Sequence, residues 1–239
     1  MLLSTTHRTS QEEGMDNFSL EGEELRDALD KIAVINQWLG GNKITLDGVN
    51  ELVKNWPKNK VISIVDIGCG NGDMCRAIAD FGKQKGLKSS VIGIDANAYT
   101  VQHAEKSSQA YPAIAYRVLN VFDEDFAVLD YDIALCTLTL HHFTDKEILQ
   151  LMSLLTSRAT LGVVVNDLQR SALAYRLFQL ICFVFRLNPL SREDGLISIL
   201  RGFKKQELEL FSNQLNVKAY QINWRWAFRY QWIIKKLCV

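Results

Sequence analysis

The segment that decides the fold reads Val61-Ile-Ser-Ile-Val-Asp-Ile-Gly-Cys-Gly-Asn-Gly-Asp-Met-Cys75. A run of β-branched residues ends at Asp66, and Gly68, Gly70 and Gly72 follow at alternate positions before a helix-compatible stretch. A buried strand that enters a Gly-rich turn and then a helix is typical of ligand sites at the carboxyl edge of α/β sheets. Glycine suits such a turn because it lets the backbone approach a ligand closely and accepts positive φ.

The spacing of the glycines limits which class of ligand the loop can bind. A dinucleotide fingerprint requires its third glycine at the position of Asp73. The pattern instead resembles motif I of the class I S-adenosylmethionine-dependent methyltransferases. In that family the loop surrounds the methionine part of the cofactor, so the resemblance implies that Asp66, Gly68, Cys69, Gly70 and Gly72 contact it. A tight turn without a ligand and a dinucleotide-dependent oxidoreductase are the alternatives.

A second apolar run, from Val91 to Asp95, also ends in an acid. A carboxylate at this strand end can hold a ribose diol through two charge-assisted hydrogen bonds. The resemblance implies this role for Asp95, with Ala96 beside it. The alternative is that Asp95 caps the helix that begins near Ala98.

The third predicted strand runs from Ala115 to Leu119. The resemblance to the methyltransferase family implies that the segment after this strand binds adenine. Family members usually have an acid at the position of Asn120, so this chain departs from the pattern. Asn120 could accept through its carbonyl oxygen, Asp123 could serve instead, and a plain polar loop is the alternative. The expected adenine contacts are Asn120, Val121 and Phe122. Cys136 is a further expected contact of the cofactor.

The fourth predicted strand ends at Cys136 and continues into Thr-Leu-Thr-Leu-His-His-Phe, residues 137–143. This string resembles motif IV of the same family. His141 and His142 are candidates for a general base or for orienting the acceptor, because a neutral imidazole is matched to pH 7. Asp167 ends the fifth predicted strand and is a third catalytic candidate. A purely structural role for the histidines is the alternative.

An aromatic-rich helix, Ala172 to Leu187, is predicted after the fifth strand, followed by a polar loop at 191–195 and a short helix at 197–201. In the resembled family this region is a substrate lid, placed here at about 171–201. An aromatic lid would suit a hydrophobic acceptor. Ordinary core packing is the alternative.

Together the elements predict an α/β fold with a doubly wound, mostly parallel sheet, which the resemblance makes seven-stranded with an antiparallel C-terminal hairpin. The expected organisation is a disordered tail at 1–14, an N-terminal helical cap at 15–57 and a methyltransferase domain at 58–239. Helices are expected at 23–39 and 47–56 within the cap.

Composition limits the partners. With 27 basic and 27 acidic residues the net charge is zero, so nucleic acid is an unexpected partner. The 5 cysteines are scattered without zinc-ligand spacing, so no metal is expected. No stretch is long and apolar enough to span a membrane, and a cytoplasmic protein, with a homodimer as a further option, is expected.

The resulting hypothesis is a methyltransferase that uses S-adenosyl-L-methionine and acts on a small hydrophobic or aromatic acceptor, with O-methylation favoured. A non-catalytic module that only binds the cofactor is the second alternative.

Overall fold

The structure is a computed structural model that describes residues 3–236, in which seven β-strands and nine α-helices are formed. The strands are β1 (Ile62–Ile67), β2 (Ser89–Asp95), β3 (Ile114–Val118), β4 (Ile133–Thr137), β5 (Gly162–Leu168), β6 (Tyr220–Arg225) and β7 (Arg229–Lys235). The helices are α1 (Glu23–Trp38), α2 (Gly41–Leu52), α3 (Asp73–Lys85), α4 (Ala98–Ser107), α5 (Glu124–Ala127), α6 (Asp145–Arg158), α7 (Ala172–Val184), α8 (Pro189–Arg201) and α9 (Lys205–Gln214).

The strands form one sheet in the order β3-β2-β1-β4-β5-β7-β6. All neighbours are parallel except β7, which runs antiparallel to both β5 and β6. The chain steps outward from β1 to β3 and then returns to place β4 beside β1. This reversal creates the crevice in which open α/β sheets bind ligands. The predicted doubly wound sheet with an antiparallel C-terminal hairpin is confirmed.

The two faces of the sheet bury different helices. On β1, Ile62 and Ile64 pack with α2 and α3, whereas Val65 and Ile67 pack with α5, α6 and α9. The alternation follows from the two-residue period of a strand. Because both faces are covered, the central strands are mostly apolar, with polar residues such as Asp66 and Asp167 near their carboxyl ends.

Two helix predictions were wrong at their boundaries. Helix α2 begins at Gly41, not Asp47, because Gly40 adopts a left-handed conformation and separates α1 from α2 without a longer loop. The expected polar loop at 191–195 is helical and belongs to α8. The Asn188 side chain accepts from the Ser191 amide, and Pro189 occupies the first helical turn, so this proline starts a helix.

The amino-terminal segment packs on the body of the protein, where the sequence analysis expected a disordered tail at 1–14. We call residues 5–18 the strap. The Arg170 side chain donates to the carbonyl oxygens of Thr5 and Thr6. Arg8 donates to Asp145, at 2.6 Å, and to the carbonyl oxygens of three residues, His141, Phe143 and Arg201. Residues 1–2 of the predicted tail, and Cys238, lie outside the described residues.

Candidate active site

A cleft of about 1490 Å³ lies at the carboxyl ends of the central strands. Its walls are α1, the strap, α7 and α8, together with the turn at 226–229. Single ligand pockets usually measure about 300–1,000 Å³, so this cleft has room for two molecules side by side. Most of the predicted site residues line it, namely Asp66, Gly68, Cys69, Gly70, Asp95, Ala96, Asn120, Val121, Phe122, His141 and His142.

The glycine loop leaves backbone open to the cleft at Gly70. Its φ is 53°, and a Cβ built there would meet only Leu29, at 3.8 Å. At Gly68, by contrast, a Cβ would come within 2.5 Å of Thr139. Gly68 is therefore required by packing, whereas at Gly70 the missing side chain keeps space free for a ligand.

Asp95 lies beside this loop with both carboxylate oxygens partly engaged. Oδ1 accepts from the Asn97 amide at 3.0 Å, and Oδ2 accepts from the Gly70 amide at 3.2 Å. Burial raises the pKa of the Asp95 carboxyl. Each oxygen keeps acceptor capacity beyond these bonds, and Asp95 lines the cleft, which suits a diol donor. The alternative prediction, that the Asp95 side chain caps α4, is wrong because Asn97 caps that helix through Thr100.

Asp66 lies deeper, at the end of β1. It is only 2% exposed, and the Cys75 thiol donates to its Oδ2 at 3.4 Å. Burial raises the pKa of Asp66 to about 7. A cationic group in the neighbouring cleft would stabilise its ionised form.

The adenine end of the predicted site differs in detail from the expectation. Asn120 lines the cleft, but its side-chain oxygen already accepts from the Phe122 amide at 3.0 Å. One lone pair of that oxygen and the amide NH₂ group are left for a ligand. Asp123 does not line the cleft, so the structure does not bring the suggested substitute to the site.

Three predicted site residues lie outside the cleft lining. Cys136 has its side chain in the core between the sheet and α6, because strand parity turns it away from the α2 and α3 face. Gly72 caps α3 with φ 78°, and its backbone packs against Tyr116. Asp167 lies behind His141 and reaches the cleft only through that residue.

His141 and Asp167 form a buried pair at the ends of β4 and β5. The distance from Nδ1 of His141 to Oδ1 of Asp167 is 2.6 Å, and the His141 amide donates to Oδ2 at 3.2 Å. Burial alone would raise the pKa of Asp167, but the adjacent His141 lowers it below its ordinary value. An ionised Asp167 fixes the proton on Nδ1 and leaves the electron pair on Nε2. Such a pair can accept a proton from a substrate.

The strap places Glu13 against this pair. Its Oε1 lies 3.6 Å from Nε2 of His141, and neither atom has a hydrogen-bond partner among the described residues. The other carboxylate oxygen of Glu13 accepts from Ser198 at 2.7 Å. Burial raises the pKa of Glu13 to about 7. Glu13 is therefore poised to exchange a proton near neutral pH.

His142 and Arg201 complete the cluster. Nδ1 of His142 lies 2.6 Å from Oδ1 of Asp16, and Arg201 donates to Oδ2 of Asp16 at 2.6 Å. Arg201 also donates to the carbonyl oxygens of both histidines. Burial would raise the pKa of Asp16, but the hydrogen bond and charge of His142 lower it overall.

Glu13, His141 and His142 also have the composition of a metal site, because one ligand atom from each lies within 4.8 Å of the others. Two features oppose a dication there. The Arg201 guanidinium lies 3.9 Å from Oε1 of Glu13, and Asp16 already engages His142. We therefore interpret the cluster as a hydrogen-bonded network, and the absence of a metal stays a prediction.

Sequence reasoning missed Glu13, Arg8 and Arg201, all of which meet at the histidine pair. Charged residues on an amino-terminal strap and at the end of α8 have no local pattern that links them to residues 141–142. Leu138 was also missed: it lines the cleft with φ 54° just after β4. A leucine gives no sequence signal for a left-handed conformation.

Comparison with known proteins assigns the central part of the chain. Residues 64–160 match the family described as a methyltransferase domain. This part of the chain is a methyltransferase domain. The predictions of class I membership and of a methyltransferase enzyme are confirmed at this level. The matched residues include β1 from Ile64 onward, its glycine loop, Asp95 and the histidine pair, so they contain the carboxyl ends of β1, β2 and β4. No protein of curated function matches the chain in sequence.

Solved structures agree with this domain in fold. The plantazolicin methyltransferase BpumL, in complex with SAH, has a TM-score of 0.65 at 14% identity, over 90% of this chain and 96% of that chain. The magnesium protoporphyrin IX methyltransferase of Synechocystis PCC 6803, with bound SAH, has a TM-score of 0.55 at 17% identity, over 83% and 84%. The CurJ carbon methyltransferase has a TM-score of 0.56 at 14% identity, over 77% and 50%.

These neighbours are methyltransferases of different specificity, and identities this low establish only the shared architecture. No helix in residues 3–236 combines the length and the apolar character needed to cross a bilayer.

Proposed function

We propose that this methyltransferase transfers the methyl group of S-adenosyl-L-methionine to a hydroxyl oxygen of a small apolar or aromatic acceptor. The observation that supports this best is the buried His141–Asp167 pair at the edge of the cleft. When bound, the cofactor supplies a methyl group that its sulfonium already activates. The protein then has to hold both molecules in line, exclude water and accept one proton.

The cofactor side of the site fits the proposed nucleoside. The open backbone at Gly70 would lie against the amino-acid part, with Asp66 and Cys69 nearby. Asp95 would accept from the two ribose hydroxyls. Val121 and Phe122 would cover the adenine ring, and the Asn120 amide would meet its polar edge. The presence of SAH in the BpumL and protoporphyrin methyltransferase structures supports this arrangement.

The proton chemistry favours oxygen. A phenol must lose a proton as its oxygen attacks, and a positioned imidazole assists that loss. Nε2 of His141 would accept the proton, while Asp167 stabilises the resulting imidazolium. The Oε1 atom of Glu13, 3.6 Å away, would support the same charge. His142 is held by Asp16 and would position the strap.

The acceptor side of the cleft is mostly apolar. Side chains from α7, such as Leu177, Phe178 and Ile181, line it together with Leu29 and Ile32 of α1. These walls suit an aromatic or lipophilic molecule better than a polar one. The lid role of α7 and α8 and the capping role of α1 are parts of the same proposal.

The test is a methylation panel with purified protein and S-adenosyl-L-methionine. We would offer phenols, amines and carboxylic acids of matched size and follow the gain of one methyl group by mass spectrometry. Methylation of phenols that depends on His141 supports the proposal. Methylation confined to amines or carboxylic acids contradicts the choice of oxygen but not the cofactor.

His103→Gln serves as the matched control for His141→Gln. His103 is also paired with a carboxylate, at 2.7 Å from Asp30, but it does not line the cleft. Titration with SAH and, separately, with a nicotinamide dinucleotide tests the cofactor. Binding of the dinucleotide alone would overturn the proposed function.

A further inference from the structure

We propose that the apolar rim of the cleft is a lipid-binding surface, through which an apolar acceptor enters from a bilayer. The rim consists of Phe18, Trp38, Leu173, Leu180, Phe183 and Val184. All six are at least half exposed, from 55% for Phe18 to 82% for Phe183. Large exposed apolar side chains grouped on the elements that line one cleft, and not scattered singly, mark an interaction site.

Helix α7 has an exposed apolar face that begins at the mouth of the cleft. Leu173, Leu177, Leu180 and Val184 follow the i, i+4, i+7, i+11 spacing of one helical face, and each is between 43% and 63% exposed. This spacing normally marks the face that a helix buries in the core. Here the buried residues Ala174 and Cys182 lie on another face of the same helix. Helix α7 is thus apolar on two sides, only one of which packs on the protein.

The rim continues from α7 to the neighbouring elements. The ring centroids of Trp38, at the end of α1, and Phe185, just after α7, lie 5.6 Å apart. Trp38, Phe18 and Leu180 also line the cleft, so the same surface reaches from solvent into the acceptor side of the site. Exposed aromatic and leucine side chains at such a mouth suit the boundary between head groups and acyl chains.

The charge around the rim identifies the kind of partner. Residues 168–192 contain four arginines and no acidic residue, and the next two residues are the exposed Glu193 and the buried Asp194. Arg170 is paired with Glu207, whereas Arg176, Arg186 and Arg192 form no salt bridge among the described residues. The nearby Asp27 is already paired with Lys31. An apolar helix flanked by unpaired arginines complements an anionic lipid surface and repels a second copy of itself.

The claim that the rim binds lipid depends only on the exposed side chains of the rim. The claim that an acceptor enters there rests on the proposed function. The two claims can be tested separately, because binding to vesicles requires neither cofactor nor acceptor. SAH titration in the absence of vesicles reports on the cofactor site and is unaffected by the rim.

Vesicle co-sedimentation of the full chain tests the proposal. We expect the protein to sediment with vesicles that contain phosphatidylcholine and phosphatidylglycerol, and more weakly with phosphatidylcholine alone. The double variant Leu173→Glu/Phe183→Glu should lower the partition coefficient about tenfold or more, since each change removes a large apolar contact. Neither residue lines the cleft, so SAH binding should be unchanged.

Leu210→Glu on α9 is the matched control. Leu210 is 59% exposed, as is Leu173, but it lies outside the rim. Loss of sedimentation in the double variant but not in Leu210→Glu supports the proposal. Wild-type protein that stays in the supernatant with both vesicle types overturns it. It is also overturned if size-exclusion chromatography shows a dimer that the double variant dissociates and vesicles do not bind.

Discussion

The proposed cofactor side and the proposed acceptor side of the cleft are built in different ways. On the proposed cofactor side, the glycine loop follows β1, Asp95 ends β2, and Asn120 lies two residues after β3. On the acceptor side, Glu13, His141 and Arg201 come from the strap, the loop after β4 and the end of α8. The first arrangement depends on sheet topology, and the second depends on contacts between distant parts of the chain.

This difference separates two kinds of binding. A ligand at the tips of parallel strands meets backbone amides and side chains that the sheet holds in place. An acceptor at the other side meets groups whose positions depend on whether the strap is docked. We therefore expect changes on the cofactor side to alter cofactor affinity, and changes on the acceptor side to alter turnover, stability or pH dependence.

The largest effect is expected at His141. His141→Gln should lower kcat by about 100-fold or more with a phenolic acceptor, because the proton acceptor is lost. The affinity for SAH should not change, since His141 belongs to the acceptor side. Steady-state kinetics and calorimetric titration measure the two quantities. An equal loss in His103→Gln would show that the effect is not specific to the cleft.

The second effect concerns Asp95. Asp95→Ala should weaken SAH binding by about 100-fold, because two hydrogen bonds to a charged acceptor are lost. Calorimetric titration provides the measurement. Asp123→Ala is the control, since Asp123 does not line the cleft and should leave the affinity unchanged. If Asp123→Ala weakened SAH binding and Asp95→Ala did not, the acid that binds the cofactor would lie in the segment after β3.

The two sides also differ in how much the sequence could predict. Asp95 and the glycine loop were predictable because their neighbours in space are also their neighbours in sequence or at adjacent strand ends. The same holds for His141, in the turn after β4, and Asp167, near the end of the adjacent strand β5. The pairing of Glu13 and Arg201 with this site was not predictable, because no local period or spacing links the two ends of the chain.

Residues with two possible uses caused the remaining errors. The polar loop predicted at 191–195 follows Pro189, and a proline can either end a helix or, in the first turn, begin one, as it does in α8. Cys136, at the end of the fourth predicted strand, was expected to contact the cofactor. Its side chain instead belongs to the opposite face, which a strand's parity decides and the motif does not show.

The third effect is on stability. Arg201→Met should lower the free energy of unfolding by about 3 kcal/mol, because Asp16 and Glu13 lose a partner in a mostly buried network. Chemical denaturation followed by circular dichroism measures the change. Arg158→Met should cost about 1 kcal/mol or less, since its partner Asp130 is almost fully exposed. Similar losses in both variants would show that the strap contributes little to stability.

The smallest effect is the pH dependence caused by Glu13. Its pKa is raised from 4.5 to about 7 by burial, so the folded protein retains a proton that the unfolded chain releases. Stability should therefore fall as pH rises through this window and level off above it. The Glu13 share of this loss has an upper bound of about 3.5 kcal/mol, because each pKa unit corresponds to about 1.4 kcal/mol.

Glu13→Gln isolates that share from the one contributed by Asp66, whose pKa is also raised to about 7. A glutamine is neutral at every pH, so the variant should match the wild type below pH 4.5, gain stability relative to it between pH 4.5 and about 7, and keep that gain unchanged at higher pH. Glu12→Gln, at an exposed neighbouring position, should give a curve parallel to that of the wild type. A constant difference between wild type and Glu13→Gln would mean that Glu13 ionises freely and that the strap does not cover His141 in solution. Such a result would also mean that His141, the proposed base, is exposed to solvent and does not act in a site covered by the strap.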